Sequence, residues 1–207
     1  MPDLPRLYAI LDVDLTHSAG RDPRGVASGF FAAGVRLLQL RSKRLESGPL
    51  LELARALVDL ARPAGAAVIV NDRPDVAVLA RAAGVHVGQD DLPPDAVRRV
   101  MPAGIIGLST HTREQVERAL DGPAGYLAVG PIFGTSTKDT GYAAVGLELL
   151  EWAARRSDRP VVAIGGITLD NIAEVIAAGA ASAAVISDLL RGDPHERARA
   201  MVARAGG

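Results

Sequence analysis

Two cations and an amide stand close together after one of the short apolar runs of this sequence. Residues 35–40 are mostly apolar, contain Gln39, and continue into Arg41 and Lys43. An extended chain puts these three side chains on the same side. Such a set suits a polyphosphate, because Arg and Lys hold phosphate oxygens. The alternative is a solvated Arg and Lys after a strand, but a buried Gln39 would need a hydrogen-bond partner.

Carboxylates follow the next two apolar runs. Asn71 and Asp72 come directly after residues 67–70, and Asp90 and Asp91 follow residues 84–87. Carboxylates from adjacent strand ends can share Mg²⁺, which takes one or two of them and completes its shell with phosphate and water. Asp72 and Asp91 are the better-placed pair, and Asp90 is a weaker third candidate. The alternatives are an N-cap role for Asp91 and turn chemistry at Asn71 and Asp72.

Hydroxyls and an imidazole follow residues 105–108. Ser109 and His111 could donate to phosphate or take part in proton transfer, whereas Thr112 could simply cap the following helix. His86 lies within an apolar run and is expected to be a hydrogen-bonded core residue. Because no two His residues stand at metal-ligand spacing, a zinc site is not expected.

Three later segments have the composition of a phosphate site. A long polar loop contains Thr135, Thr137 and Lys138, a glycine pair ends in Gly166, and Ile186 and Ser187 end the last apolar run. Glycine lets a ligand approach backbone amides closely, and many barrels bind phosphate after their seventh and eighth strands. A mobile surface loop is the alternative for residues 130–142. The pattern predicts a second phosphate site that needs no metal.

Eight short apolar runs must position these residues. They are largely β-branched, as in strands buried on both faces, and occupy residues 7–11, 35–40, 67–70, 84–87, 105–108, 126–129, 161–164 and 182–186. The helical spacing of apolar residues predicts helices over 50–61, 75–82, 95–101, 113–120, 147–155 and 170–177. This alternation predicts an α/β fold, a (β/α)8 TIM barrel that forms a single domain over residues 1–207. An open doubly wound sheet is the alternative, weakened because no G-x-G-x-x-G follows the first run.

Composition excludes several classes of protein. The net charge is −1, there is no cysteine, and aromatic residues make up 3% of the 207 residues. These values argue against a nucleic-acid partner, disulfides and thiol catalysis. The first residues lack a signal-peptide pattern, and no apolar run is long enough to span a membrane, so we expect a cytoplasmic protein without a membrane partner. The sequence leaves open whether the chain forms a homo-oligomer.

The polar motifs, taken in order, resemble those of the thiamine phosphate synthase family. They span nearly the whole chain and are specific as a set, although no single motif is. The matching residues are Gln39-x-Arg41-x-Lys43, Asn71-Asp72, Gly84-Val85-His86-Val87-Gly88-Gln89-Asp90-Asp91, Ser109-Thr110-His111, Gly130-Pro131-Ile132-Phe133, Thr135-x-Thr137-Lys138, Ala163-Ile164-Gly165-Gly166-Ile167 and Val185-Ile186-Ser187.

The resemblance implies a transferase that joins 4-amino-5-hydroxymethyl-2-methylpyrimidine diphosphate to 4-methyl-5-(2-hydroxyethyl)thiazole phosphate. Thiamine phosphate and pyrophosphate would be the products of a dissociative substitution, in which the C–O bond breaks before the thiazole nitrogen attacks. By resemblance, the pyrimidine diphosphate would be held by Gln39, Arg41, Lys43, Asn71, Ser109 and Lys138, of which Ser109 and Lys138 are the catalytic pair. Mg²⁺ would be bound by Asp72 and Asp91, and the thiazole phosphate by Thr135, Thr137, Gly166, Ile186 and Ser187.

One region departs from the family pattern. The first strand of the family usually ends in Thr-Asp, and here the residues are Leu11-Asp12, followed by an atypical segment up to Arg24.

Two alternative functions share the same barrel, namely a thiazole tautomerase and a non-catalytic regulatory barrel. A tautomerase would not need the carboxylate pair, and a regulatory barrel would be expected to lose its polar mouth residues.

Overall fold

Eight parallel strands close into a barrel in which each strand pairs with its neighbours in chain order. The computed structural model describes residues 4–134 and 141–206. Strand β1 pairs with both β2 and β8, so the sheet has no open edge. The (β/α)8 prediction is therefore confirmed, and the open doubly wound alternative is wrong. The strands are β1 (Leu7–Asp12), β2 (Leu37–Arg41), β3 (Ala67–Asn71), β4 (Gly84–Val87), β5 (Ile105–Thr110), β6 (Tyr126–Val129), β7 (Val161–Ile164) and β8 (Ser182–Val185).

Helices follow the strands and cover the outside of the barrel. They are α1 (Val13–Ser18), α2 (Pro23–Ala32), α3 (Ser47–Ala61), α4 (Pro74–Ala80), α5 (Pro94–Val100), α6 (Arg113–Leu120), α7 (Gly146–Arg156), α8 (Ile172–Ala177) and α9 (Pro194–Arg204), with 3₁₀ turns at Arg62–Ala64 and Ser187–Leu190. Of these, α1, α2 and α9 lie outside the predicted set. The described residues contain no helix with the length and hydrophobicity required to cross a membrane.

The start of β2 and the end of β8 differ from the sequence prediction for a local reason, and β1, β2, β3 and β5 each extend one or two residues further than predicted. Strand β2 begins at Leu37 rather than at residue 35, because Gly34 adopts a left-handed φ of 99° and the Val35 amide donates back to the Phe30 carbonyl at 3.0 Å. That bond closes the end of α2 and uses Val35 as part of the cap. Strand β8 ends at Val185, because Ile186 turns the chain into the following 3₁₀ helix.

The alternation of side chains along each strand divides the core into two layers. Strand residues such as Tyr8, Ile10, Ile69 and Tyr126 form a cluster inside the barrel, whereas a larger cluster fills the space between the sheet and the helices. Extending the inward alternation toward the carboxyl ends leads to polar residues at the top of the inner layer. They are Asp12, Gln39, Arg41, Asn71, His86 and Ser109.

Candidate active site

The strand-2 cations are held by carboxylates of neighbouring elements. Arg41 forms a close ion pair with Asp12, and both side chains are largely buried. The Lys43 ammonium lies 2.6 Å from a carboxylate oxygen of Asp72, and the Lys43 amide donates to Asp14 at 2.8 Å. These contacts place the two cations between β1 and β3 at the mouth of the barrel.

Gln39 lies deeper than the two cations. The residue is 3% exposed, and its Nε2 donates to the hydroxyl of Tyr8 at 2.9 Å. The buried amide therefore has the hydrogen-bond partner that the sequence analysis required, inside the barrel rather than at the rim. Asn71 lies at the end of β3, beside His86 in the register of β3 and β4.

Asp72 and Asp91 are neighbours, as the sequence predicted. Burial raises the pKa of Asp91, the adjacent Asp72 raises it further, and Lys43 acts in the opposite direction. The Asp91 carboxylate accepts the Gly88 amide at 2.8 Å and so closes a turn, whereas the N-cap of α5 is Pro93. The N-cap alternative for Asp91 is therefore wrong. Asp72 itself has a left-handed φ of 62°, which is uncommon for a residue other than glycine.

The carboxylate pair has the donor chemistry that Mg²⁺ prefers. Two acidic side chains close together repel each other, and a cation relieves that repulsion. Within residues 4–134 and 141–206, no group of three or more His, Cys, Asp or Glu is arranged around one metal position. A magnesium ion here would therefore take most of its remaining ligands from phosphate and water, which is its usual behaviour.

Strand β5 brings a hydroxyl and an imidazole to the mouth. Ser109 is 5% exposed, and its Oγ lies 2.9 Å from Nε2 of His86. His86 is buried and hydrogen-bonded, so the prediction of a core histidine is confirmed. The Nδ1 of His111 donates to the Gly130 carbonyl at 2.5 Å, and its ring stacks on Tyr142 with centroids 4.1 Å apart. Thr112 caps α6 through the Gln115 amide, so the capping alternative holds for that residue.

A pocket opens beside Ser109, between the ends of β5 and β8. Its lining includes both predicted residues after β8, the glycine pair after β7, and the end of β6; the residues are Ser109, His111, Gly130, Pro131, Ile164, Gly165, Gly166, Ile167, Thr168, Ala184, Ile186, Ser187, Asp188 and Arg191. Gly166 has a φ of 66°, and a Cβ there would lie 2.8 Å from the Gly134 carbonyl oxygen. Any larger residue would push apart the loops that follow β6 and β7. Thr135, Thr137 and Lys138 lie outside the described residues.

Two site features were missed by sequence reasoning. In the sequence Asp12 stands out only as part of an atypical strand end, whereas in the structure it is the partner of Arg41. Asp188 is 3% exposed and accepts from the Leu169 amide at 3.0 Å and from Arg197 at 2.7 Å. It also lies 3.4 Å from Nε of Arg191, at the edge of the pocket. Asp188 and Arg191 stand three positions apart, a spacing that brings side chains together on one helical turn, and this spacing could have indicated the pair.

Known proteins resemble this chain over most of its length. A family model described as thiamine monophosphate synthase matches residues 7–189. A thiamine-phosphate synthase of Koribacter versatilis is 44% identical over 206 residues, which is 94% of this chain and 93% of the relative. A thiamine-phosphate synthase of Thermus thermophilus is 45% identical over 85% of each chain. The solved structure of a thiamine phosphate pyrophosphorylase from Pyrococcus furiosus superposes with a TM-score of 0.88, at 30% identity and 98% coverage of both chains.

Proposed function

The chain belongs to the thiamine monophosphate synthase family, and we propose that it joins 4-amino-5-hydroxymethyl-2-methylpyrimidine diphosphate to 4-methyl-5-(2-hydroxyethyl)thiazole phosphate. The enzyme is a transferase of thiamine biosynthesis. The reaction would release pyrophosphate and leave thiamine phosphate. The observation that carries this assignment of substrates is the division of the mouth into two unlike halves. Cations and carboxylates line β1 to β4, and glycines, hydroxyls and apolar side chains line β5 to β8.

The first half suits the diphosphate. Arg41 and Lys43 would bind its oxygens, with Gln39 and Asn71 below and beside them on the inner layer. Asp72 and Asp91 would hold Mg²⁺, which when bound supplies positive charge to the leaving pyrophosphate. Lys138, which follows β6 outside the described residues, would add a further cation. Charge develops on the leaving group as the C–O bond breaks, so this side of the mouth must supply most of the electrostatic stabilisation.

The pocket suits the thiazole phosphate. Gly166, Ile186 and Ser187 all line this pocket, and a 3₁₀ helix begins at Ser187, so the phosphate would be bound beside the backbone of these three residues. Arg191 lies at the rim and would add a charge-assisted bond. Thr135 and Thr137, outside the described residues, would bind the same phosphate.

Ser109 lies where the two halves meet. It lines the pocket and ends the inner layer of β5, so it would contact the pyrimidine near the reacting carbon. The thiazole nitrogen already carries a lone pair, and the site therefore needs no general base to activate it. What the chain must do is hold the nucleophile close and exclude water, which would otherwise capture the pyrimidine cation.

One reaction mixture tests this proposal. Purified protein, Mg²⁺ and the two heterocycles should yield pyrophosphate and thiamine phosphate in equal amounts. Pyrophosphate without thiamine phosphate would indicate that water intercepts the cation, and the absence of both products with saturating substrates would refute the assignment. A cytoplasmic location is part of the same proposal, and localisation of a tagged chain tests it separately.

A further inference from the structure

A line of hydrogen bonds crosses the barrel interior beneath the proposed site. Gln39 Nε2 donates to the Tyr8 hydroxyl at 2.9 Å, and the hydroxyls of Tyr8 and Tyr126 lie 2.9 Å apart. The Tyr126 hydroxyl lies 2.9 Å from Nδ1 of His86, and Nε2 of His86 lies 2.9 Å from Oγ of Ser109. The line thus starts on β2 and ends at a residue that lines the pocket.

One direction of donation along this line gives every proton in it an acceptor. The Gln39 amide nitrogen donates to the Tyr8 oxygen, and the Tyr126 oxygen is then the acceptor for the Tyr8 proton. The Tyr126 proton then goes to Nδ1 of His86, which must be the unprotonated ring nitrogen. A neutral His86 consequently carries its proton on Nε2 and donates it to Ser109.

Packing holds the members of this line in place. Tyr8 and Tyr126 are 1% and 0% exposed, and burial raises the pKa of both phenols well above the usual range, so each keeps its proton. The rings of His86 and Tyr126 stack with centroids 5.6 Å apart and planes 20° apart. Gly107 on β5 makes this arrangement possible, because a Cβ there would overlap the Tyr126 ring and the His86 imidazole. Packing within the barrel therefore holds this geometry.

We infer that this line positions Ser109 as a hydrogen-bond donor toward the pocket. Because Oγ of Ser109 accepts from His86, its own proton cannot lie along that bond and is available to an acceptor of the substrate. The inference rests on the proposed function for the identity of that acceptor, a ring nitrogen of the pyrimidine or an oxygen of its diphosphate. Gln39, Tyr8, Tyr126 and His86 are positioning residues in this scheme, since they act through Ser109.

The protonation of His86 gives a test that needs no substrate. Nitrogen-15 NMR distinguishes a protonated from an unprotonated ring nitrogen, and a His86→Gln variant identifies its signals among the four histidines. The wild-type protein should show Nε2 protonated and Nδ1 unprotonated at neutral pH. A proton on Nδ1, or a doubly protonated ring, would overturn the inference without any variant.

Two matched variants separate positioning from a structural effect. Tyr126→Phe removes the donor to Nδ1, whereas Ser182→Ala removes a buried hydroxyl at the start of β8, outside this line. In Tyr126→Phe we expect a mixed His86 tautomer and a kcat lower by roughly two- to tenfold, the worth of one oriented hydrogen bond. Ser182→Ala should keep the wild-type tautomer and most of kcat, and the KM for thiazole phosphate should change in neither.

The outcomes distinguish this inference from the proposed function. If the wild-type protein makes no thiamine phosphate, the proposed function fails, while the NMR result still reports on the tautomer. If the wild-type protein turns over but the two variants show the same tautomer and the same kcat, the positioning role is wrong.

Discussion

Asp12 performs two separable tasks at the end of β1. One carboxylate oxygen accepts the Leu15 amide at 2.9 Å and caps α1, and the other pairs with Arg41. The side chains of Asp12 and Arg41 are only 6% and 12% exposed. Asp12→Asn keeps an oxygen for the cap but removes the charge, and Asp12→Ala removes both.

The expected losses follow from this burial. Leaving one partner of a fully buried ion pair uncompensated costs about 3–5 kcal/mol. Arg41 lies at the mouth and retains some contact with water, so we expect Asp12→Asn to lower the free energy of unfolding by about 2–4 kcal/mol. Asp12→Ala should cost about 1 kcal/mol more, the usual worth of an N-cap. Because a domain is stable by about 5–15 kcal/mol, both variants should still fold.

Urea denaturation measures these differences, and an exposed pair provides the control. Asp59 and Arg62 are paired in α3 and the turn after it, but their side chains are 67% and 74% exposed. Asp59→Asn should therefore lose less than about 1 kcal/mol. An Asp12→Asn variant no less stable than Asp59→Asn would refute the argument from burial.

Inorganic pyrophosphate extends the test to function. If Arg41 binds the diphosphate, pyrophosphate supplies the counter-charge that Asp12→Asn has lost. It should then raise the unfolding midpoint of Asp12→Asn more than that of the wild-type protein at the same ligand concentration. Equal increases would mean that Arg41 does not face the anion.

Three further changes probe other parts of the chain. Asp91→Asn should raise the Mg²⁺ concentration for half-maximal turnover by at least about tenfold, which is the usual effect of losing even an outer-shell partner of a metal ion. As a control, Asp90→Asn should keep the Mg²⁺ dependence of the wild-type protein. Arg191→Ala should raise the KM for thiazole phosphate by roughly three- to tenfold and leave the KM for the pyrimidine diphosphate unchanged, because Arg191 lines the pocket proposed for the thiazole phosphate. Equal changes in both constants would contradict the two-site division. The Arg73 hydrogen bond lowers the pKa of Asp75, so that pair stabilises the fold above the ordinary aspartate pKa and ceases to do so as the pH falls through the lowered one. Wild type and Asp75→Asn should therefore differ by less than about 1 kcal/mol at neutral pH and converge in acid, and a difference that grows in acid would count against this sign.

Much of the barrel could be predicted because its signals are local. Continuous β-branched runs indicate strands buried on both faces, and glycine after a helix indicates its end. The same local patterns misplaced the start of β2, since Val35 is as apolar as a strand residue but completes the cap of α2. Apolar character alone does not separate those two roles.

Part of the site could also be predicted from sequence, because a parallel barrel collects the residues at its strand ends. The carboxylates Asp72 and Asp91 were predicted to meet, and they do, since β3 and β4 are neighbours in the sheet. Gly166 and Ser187 were likewise predicted to share one phosphate site, and both line the same pocket.

The sequence by itself determined the strands, most of the helices and the residue types that reach the mouth, because hydrophobic alternation and strand ends are features of short stretches of chain. Only the tertiary structure decided that Tyr8 and Tyr126, separated by 118 positions, share a hydrogen bond, and that His86 connects them to Ser109. The Tyr8–Tyr126 and His86–Tyr126 contacts cross the interior of the barrel between strands that are not paired, whereas His86 and Ser109 lie on the paired strands β4 and β5. Barrel closure and strand register place such residues opposite one another. No local sequence pattern indicates which inward-facing side chains will contact each other across the barrel.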